Sequence, residues 1–143
     1  MGVLFMKKRL LVALAGAVLL SGCQSSSRID AAPVKSPEWV EIGSNYDGDL
    51  TYIDINSISD GGKTKTAWSK MVYRKCSKKE KFCELITKDE YDCINQSSRF
   101  LSGSAFKKGV PVDSENYVGK WKKIMPGSLG ASEFNFVCFG KVN

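Results

Sequence analysis

The sequence predicts a mainly β domain of six antiparallel strands carried behind an export signal. Three observations point there. Runs rich in Val, Ile, Thr and aromatic residues recur at strand length, Gly- and Asp-containing turns separate them, and four cysteines fall within the same stretch. Length and composition suit one such domain, since 143 residues with 43% apolar and 25% charged side chains are ordinary for a single globular unit. Histidine is absent, which removes Ser-His-Asp and Cys-His nucleophilic chemistry, His-ligated zinc or haem, and imidazole acid-base catalysis. No cofactor and no metal site are expected.

Residues 1–22 read as a lipoprotein signal peptide. Lys7, Lys8 and Arg9 form a basic start, with Met6 a second candidate initiator, and residues 10–20 are an uncharged apolar run. That run falls short of the roughly 20 residues a membrane span requires. It closes on Leu20-Ser21-Gly22-Cys23, which resembles the lipobox of bacterial lipoproteins, where cleavage precedes the cysteine and the thiol receives a diacylglycerol. Cys23 is therefore the expected lipidation site and membrane anchor. Each buried lipid methylene contributes about 0.8 kcal/mol, so two or three acyl chains hold a protein on the bilayer. Gln24 rather than Asp follows the cysteine, which by the same resemblance favours the outer membrane. N-myristoylation does not fit, because Met6 stands where Ser or Thr is needed. After Cys23, residues 24–37 are polar, contain Pro33 and Pro37 and lack an amphipathic period, so 23–37 is a lipidated cysteine and flexible tether reaching roughly 20 Å. The folded domain is expected at 38–143.

Within it, residues 39–43 form a first strand before the turn Asp47-Gly48-Asp49, and 50–55 alternate Tyr52 and Asp54 with Ile53 and Ile55. Asp60-Gly61-Gly62 introduces a long hairpin of 64–76 and 82–93 around a polar tip at 77–81. Residues 99–107 turn at Lys108-Gly109 into 110–113, where Pro111 demands an edge or a strand end. The C-terminal segment is ambiguous. Phe134, Phe136 and Cys138 alternate as in a strand and propensity leans that way, yet Phe134, Val137 and Cys138 also share a helical face that Ser128 would cap and Gly140 would end.

Setting Cys23 aside leaves Cys76, Cys83, Cys93 and Cys138, an even set that in an exported chain argues for two disulfides rather than a metal or redox site. If Cys76 faces Cys83 across the hairpin, Trp68 stands opposite Tyr91, Lys70 opposite Asp89, Val72 opposite Thr87, Tyr73 opposite Ile86 and Lys75 opposite Glu84. Such charge and aromatic pairs contribute about 0.2 to 1 kcal/mol each. This register selects Cys76–Cys83 and leaves Cys93 for Cys138, although other registers stay open.

The series Trp39-Val40-Glu41-Ile42-Gly43, Tyr52-Ile53-Asp54 with Ser57-Ile58, Ala67-Trp68-Ser69-Lys70, Tyr91-Asp92-Cys93, Trp121 with Ile124, Pro126-Gly127-Ser128 and Phe136-Val137-Cys138 resembles the surface-adhesin protein E family along 39–138. The resemblance implies an α+β, mainly β fold: a six-stranded antiparallel sheet with a C-terminal helix tethered to it by Cys93–Cys138, and in many members a homodimer. It implies a non-enzymatic outer-membrane lipoprotein adhesin that binds host extracellular-matrix or serum proteins such as vitronectin and laminin. The pair Cys76 and Cys83 departs from the usual pattern and gives the hairpin tip a shape of its own.

Two basic clusters are the candidate ligand-binding residues. Arg74, Lys75, Lys78, Lys79 and Lys81 crowd a crosslinked turn suited to polyanions, acidic protein segments or lipid head groups, although lysines also commonly guard strand ends. Lys120, Lys122 and Lys123 flank Trp121, which is expected to pack under the sheet; Trp39 and Trp68 are likewise expected in the core. The formal charge of +6 falls to +3 without the three basic residues of the signal. With no recognition motif, this excludes nucleic acid as a partner. Asp47-Gly48-Asp49 lacks the ligand run of a calcium loop. The alternative to a surface adhesin is a periplasm-facing envelope lipoprotein with an assembly or stress role and no host ligand.

Overall fold

The computed structural model describes residues 35–141; Cys23, the signal and residues 24–34 of the tether lie outside the described residues. The elements in order are β1 (Trp39–Ser44), β2 (Leu50–Asp54), a 3-10 turn (Ile55–Ser57), β3 (Ser59–Asp60), β4 (Thr64–Val72), β5 (Glu84–Asp92), β6 (Ser97–Lys107), β7 (Val110–Asn116), β8 (Lys122–Lys123) and α1 (Leu129–Phe139). All pairings are antiparallel, in the order β1-β2-β4-β5-β6-β7, with β3 on β4 and β8 on β6. The described strands thus number eight, not six. The two additions are two-residue pairings, too short to leave an alternating pattern. Pro111 lies in β7, an edge strand, where its missing N–H costs no ladder bond.

The C-terminal segment is a helix. Ser128 Oγ accepts from Ala131 N–H at 3.2 Å, and Gly140, at φ +67°, returns its own N–H to Phe136 O at 2.8 Å. These caps satisfy end groups that a lone short helix would leave to water. Packing supplies the rest: Phe134 and Val137 bury against Ile42, Ile53, Ala67 and Tyr91 on one sheet face, with Phe136 and Cys138 at the margin. Cys93–Cys138 joins the helix to the end of β5, with a Cα separation of 5.6 Å. Core, caps and both disulfides all lie within 35–141, so this unit contains what it needs to fold.

The long hairpin corrects the expected register. Trp68 faces Lys88, Lys70 faces Ile86 and Val72 faces Glu84, three residues away from the pairing set by Cys76 opposite Cys83. The displacement is odd, so it changes which side chains share a face. It puts Ala67 beside Asp89 and Lys65 beside Tyr91 on the helix side, where Tyr91 fills the core. The strands end at Val72 and Glu84, and the second disulfide, Cys76–Cys83, closes inside the 73–83 loop with its Cα atoms 5.3 Å apart.

The tryptophans also depart from expectation. Trp39 and Trp68 are half-buried on the sheet face opposite α1, outside the buried cluster. Trp121 is exposed and stacks on Arg99, 4.5 Å from its guanidinium, rather than packing under the sheet. The core is instead completed by Ile58 and Ile124, and beside the two open-face tryptophans a polar network fixes the 3-10 turn. Asp54 accepts from Glu38 N–H (2.8 Å) and Asn56 N–H (3.1 Å), and Ser57 Oγ donates to Asp54 O (2.7 Å) while accepting from Trp68 N–H (2.8 Å).

Candidate functional site

Strand direction gives the domain two chemically different ends. β1–β2, β4–β5 and β6–β7 are consecutive antiparallel pairs, so their connections at 45–49, 73–83 and 108–109 gather at one end of the sheet, the turn end. Residues 35–38 and the turn after β5 lie at the other, the entry end. There Ile55 N–H donates to Glu38 O and Asn56 Nδ2 to Ser36 O, both at 3.0 Å. Nine-residue strands such as β4 separate the two ends by about 30 Å.

At the turn end, Asn45 and Asp49 lock the first turn through Asn45 Nδ2 to Asp49 Oδ2 and Asp49 N–H to Asn45 Oδ1, both 2.9 Å. Asp49 Oδ1 also accepts from Arg74 N–H at 2.9 Å. The Asn45 bond first, then the Arg74 N–H, hold the Asp49 carboxyl below the usual aspartate range, with Lys75 adding to the effect. The Arg74 side chain lies against Gly48, where a Cβ would come within 2.9 Å of its Cδ. Arg74 is thus committed to the neighbouring turn. Tyr46, on the same turn, is fully exposed.

The 73–83 loop is pinned from several directions. Tyr73 N–H donates to Cys83 O (2.9 Å), Cys83 N–H donates to Phe106 O (2.8 Å), and Tyr73 meets Phe82 edge to face at 5.6 Å. Burial, and then Asp49, push the Tyr73 hydroxyl above the usual tyrosine range. Lys107 Nζ donates to Lys78 O at 3.1 Å and to Glu80 O, holding the loop backbone from β6. Lys75, Lys78, Lys79 and Lys81 are all exposed on this frame, joined by Lys108 from the third turn. Sequence reading missed Tyr46 and the lysines of the third turn. An aromatic residue in an otherwise polar turn was the available signal for Tyr46; Lys107 and Lys108 required the sheet order.

Lys120, Lys122 and Lys123 belong to the entry end, so the two basic clusters do not form one surface. Lys122 and Lys123 pair with Ser98 and Ser97, and Lys123 Nζ donates to Asn95 O at 2.6 Å. Arg99, beneath Trp121, is bound to Glu90 at 2.6 Å. On the open sheet face, Trp39, Trp68, Ile86, Lys88 and Phe106 line a groove of about 660 Å³, and Lys70 Nζ stands 4.6 Å from the Trp39 ring and 5.0 Å from Tyr52.

Between α1 and the sheet lies an acidic pair. Tyr91 OH donates to Glu133 at 3.2 Å, and Asp89 accepts from Thr87 Oγ1 at 2.7 Å. Burial, with Asp89 nearby, pushes Glu133 up to about 7; burial also raises Asp89, and burial together with Glu133 raises Tyr91 well above the usual tyrosine range. No group of three or more Cys, Asp or Glu able to hold a metal is present among the described residues. The distinctive chemistry of the turn end is therefore a rigid display of cations beside the exposed Tyr46.

Comparison with known proteins supplies the context. No curated protein matches the chain. Among solved structures, crystal form II of Haemophilus influenzae protein E matches with a TM-score of 0.52 and 13% identity, covering 78% of this chain and 97% of that one. At that identity the likeness is one of fold: an antiparallel sheet with one helix against it. The family model for surface-adhesin protein E matches residues 39–139, nearly the whole described domain, and the chain belongs to the surface-adhesin protein E family.

Proposed function

We propose that the protein is a lipid-anchored outer-membrane adhesin that holds host extracellular-matrix or serum proteins, of the vitronectin and laminin type, at its turn end. In this reading Cys23 is the anchor, residues 24–37 join it to the entry end, and Tyr46, Lys75, Lys78, Lys79 and Lys81 form the contact surface. One observation carries it: chain entry and the cationic loops occupy opposite ends of a single sheet, so tethering at the first projects the second away from the membrane. Family membership supports adhesion as the activity. A loop already fixed by Cys76–Cys83 and Lys107 loses little freedom on binding, and its cations complement acidic protein segments.

The test uses whole cells. Deleting the gene is expected to abolish binding to immobilised vitronectin or laminin, and the wild-type chain to restore it. The triple variant Lys78→Glu, Lys79→Glu, Lys81→Glu, at equal surface amount, is expected to restore less than about a tenth. Full restoration by that variant overturns the assigned surface. A chain that external protease cannot reach on intact cells overturns the adhesin reading in favour of a periplasm-facing envelope role.

A further inference from the structure

Three apolar side chains stand in water at the entry end, among them the two most exposed aliphatic ones of the described residues, Ile94 and Met125. Ile94 and Met125 are each 73% exposed and Phe139 is 55% exposed. They come from three segments that the fold ties together. Ile94 follows Cys93, which is bonded to Cys138 beside Phe139, and Ile124, next to Met125, donates its N–H to Gln96 O at 3.0 Å. They lie outside the core cluster, and leaving them in water is unfavourable. The surrounding charge is positive. Lys122 and Lys123 flank the patch on β8, and Lys65 Nζ reaches Cys138 O at 3.5 Å. The nearby carboxylates keep their charge but are outnumbered: Asp92, which accepts from Ile94 N–H and Asn95 N–H, Asp60, which accepts from Gly62 N–H, and Glu90, paired with Arg99, stand against Lys65, Lys122, Lys123 and Arg99.

We infer that this end is a second membrane contact, which seats the domain on an anionic lipid bilayer with Ile94, Met125 and Phe139 among the head groups and the lysines against the lipid phosphates. Protruding apolar side chains ringed by lysines are the combination that partitions into a bilayer interface. The position of the chain argues for this occupant over a protein partner. Residues 35–38 enter the domain at this same end, and residues 24–34 separate them from Cys23, a reach of no more than about 40 Å fully extended. The inference rests on the proposed anchoring for the bilayer being close at hand, and it adds an orientation. With the entry end seated, the sheet stands upright and the turn end lies about 30 Å above the lipid.

The experiment is vesicle co-sedimentation of the unacylated chain from Gln24 onward, which contains the whole described domain. Vesicles of phosphatidylethanolamine with phosphatidylglycerol are compared with vesicles of phosphatidylcholine alone. Binding is expected on the anionic vesicles, weakened about tenfold or more in the double variant Ile94→Asp, Met125→Asp and, separately, in Lys122→Glu, Lys123→Glu. All four positions are on the surface, and far-ultraviolet circular dichroism checks the fold. Absence of binding to anionic vesicles, equal binding to phosphatidylcholine, or unchanged binding by either variant overturns the inference. So does sedimentation equilibrium in which Ile94→Asp, Met125→Asp converts a dimer to a monomer without altering vesicle binding, since the patch then covers a second copy. No host protein enters this assay, so its failure beside intact matrix binding leaves the proposed function standing, and the reverse result leaves the bilayer contact standing.

Discussion

Replacing Glu133 by Gln is expected to make the domain more stable above neutral pH. Glu133 sits on α1 against β5, accepting from Tyr91 OH at 3.2 Å with Asp89 close by, and burial raises its ionisation from 4.5 to about 7. Because the folded value exceeds the unfolded one, the folded chain holds an extra proton between pH 4.5 and 7. Stability is therefore greatest below that window, falls as pH rises through it, and is level above. At about 1.36 kcal/mol per pH unit, the full window amounts to about 3 kcal/mol, most of which falls between pH 5 and pH 8. Asp89, also raised by burial, acts in the same direction. Asp49 and Asp92 are lowered from 3.8 by their hydrogen bonds, so their contributions are lost only as pH falls below that value. Glutamine can still accept from Tyr91, which isolates the charge. Urea unfolding of the oxidised protein at pH 5 and pH 8 is expected to show the wild type losing about 2 to 3 kcal/mol and Glu133→Gln losing well under half of that. Equal losses in both proteins would refute the reasoning, because the charge at Glu133 would then carry no penalty.

Two further perturbations probe the same core. Thr51 is fully buried on β2, and its hydroxyl has no hydrogen-bond partner. Thr51→Val keeps the shape and is expected to stabilise by about 1 kcal/mol in urea unfolding; a loss of stability would show that the hydroxyl is satisfied. Removing the Cys93–Cys138 crosslink with paired alanines opens a loop with a sequence separation of 45. This is expected to cost about 4 kcal/mol on the chain-entropy account and to expose 129–141 to limited proteolysis. A cost below about 1 kcal/mol would mean that Phe134 and Val137 alone hold the helix.

The parts of this fold legible in the sequence were those written in local chemistry. Strand-forming composition between turn residues marked the six longer strands, with clear alternation only at 50–55; Pro111 marked the edge, and Ser128 with Gly140 marked the ends of a helix whose composition leaned toward strand. Family resemblance, not periodicity, decided that last segment. What stayed hidden depends on three-dimensional packing. The hairpin register could not be taken from charge and aromatic pairs, because the need to bury Tyr91 beside α1 outweighs pairs worth a fraction of a kcal/mol each. The same cause moved the tryptophans: a thin core filled by one helix has room for Ala67 and Ile53 but leaves Trp39 and Trp68 on the far face. As for the candidate site, both basic clusters were visible as runs of lysine. Their separation onto opposite ends, the commitment of Arg74 to Gly48 and the addition of Tyr46 follow only from strand direction.

The way the 73–83 loop closes bears on how such a protein diversifies. Its crosslink lies beyond the last ladder pair, Val72 with Glu84, so it ties the loop to itself and leaves the β4–β5 alignment to the core. Residues 77–81 can then be exchanged for another sequence, longer or shorter, without shifting a strand. A lineage under selection to alter what this loop contacts can rewrite its tip while inheriting the scaffold unchanged.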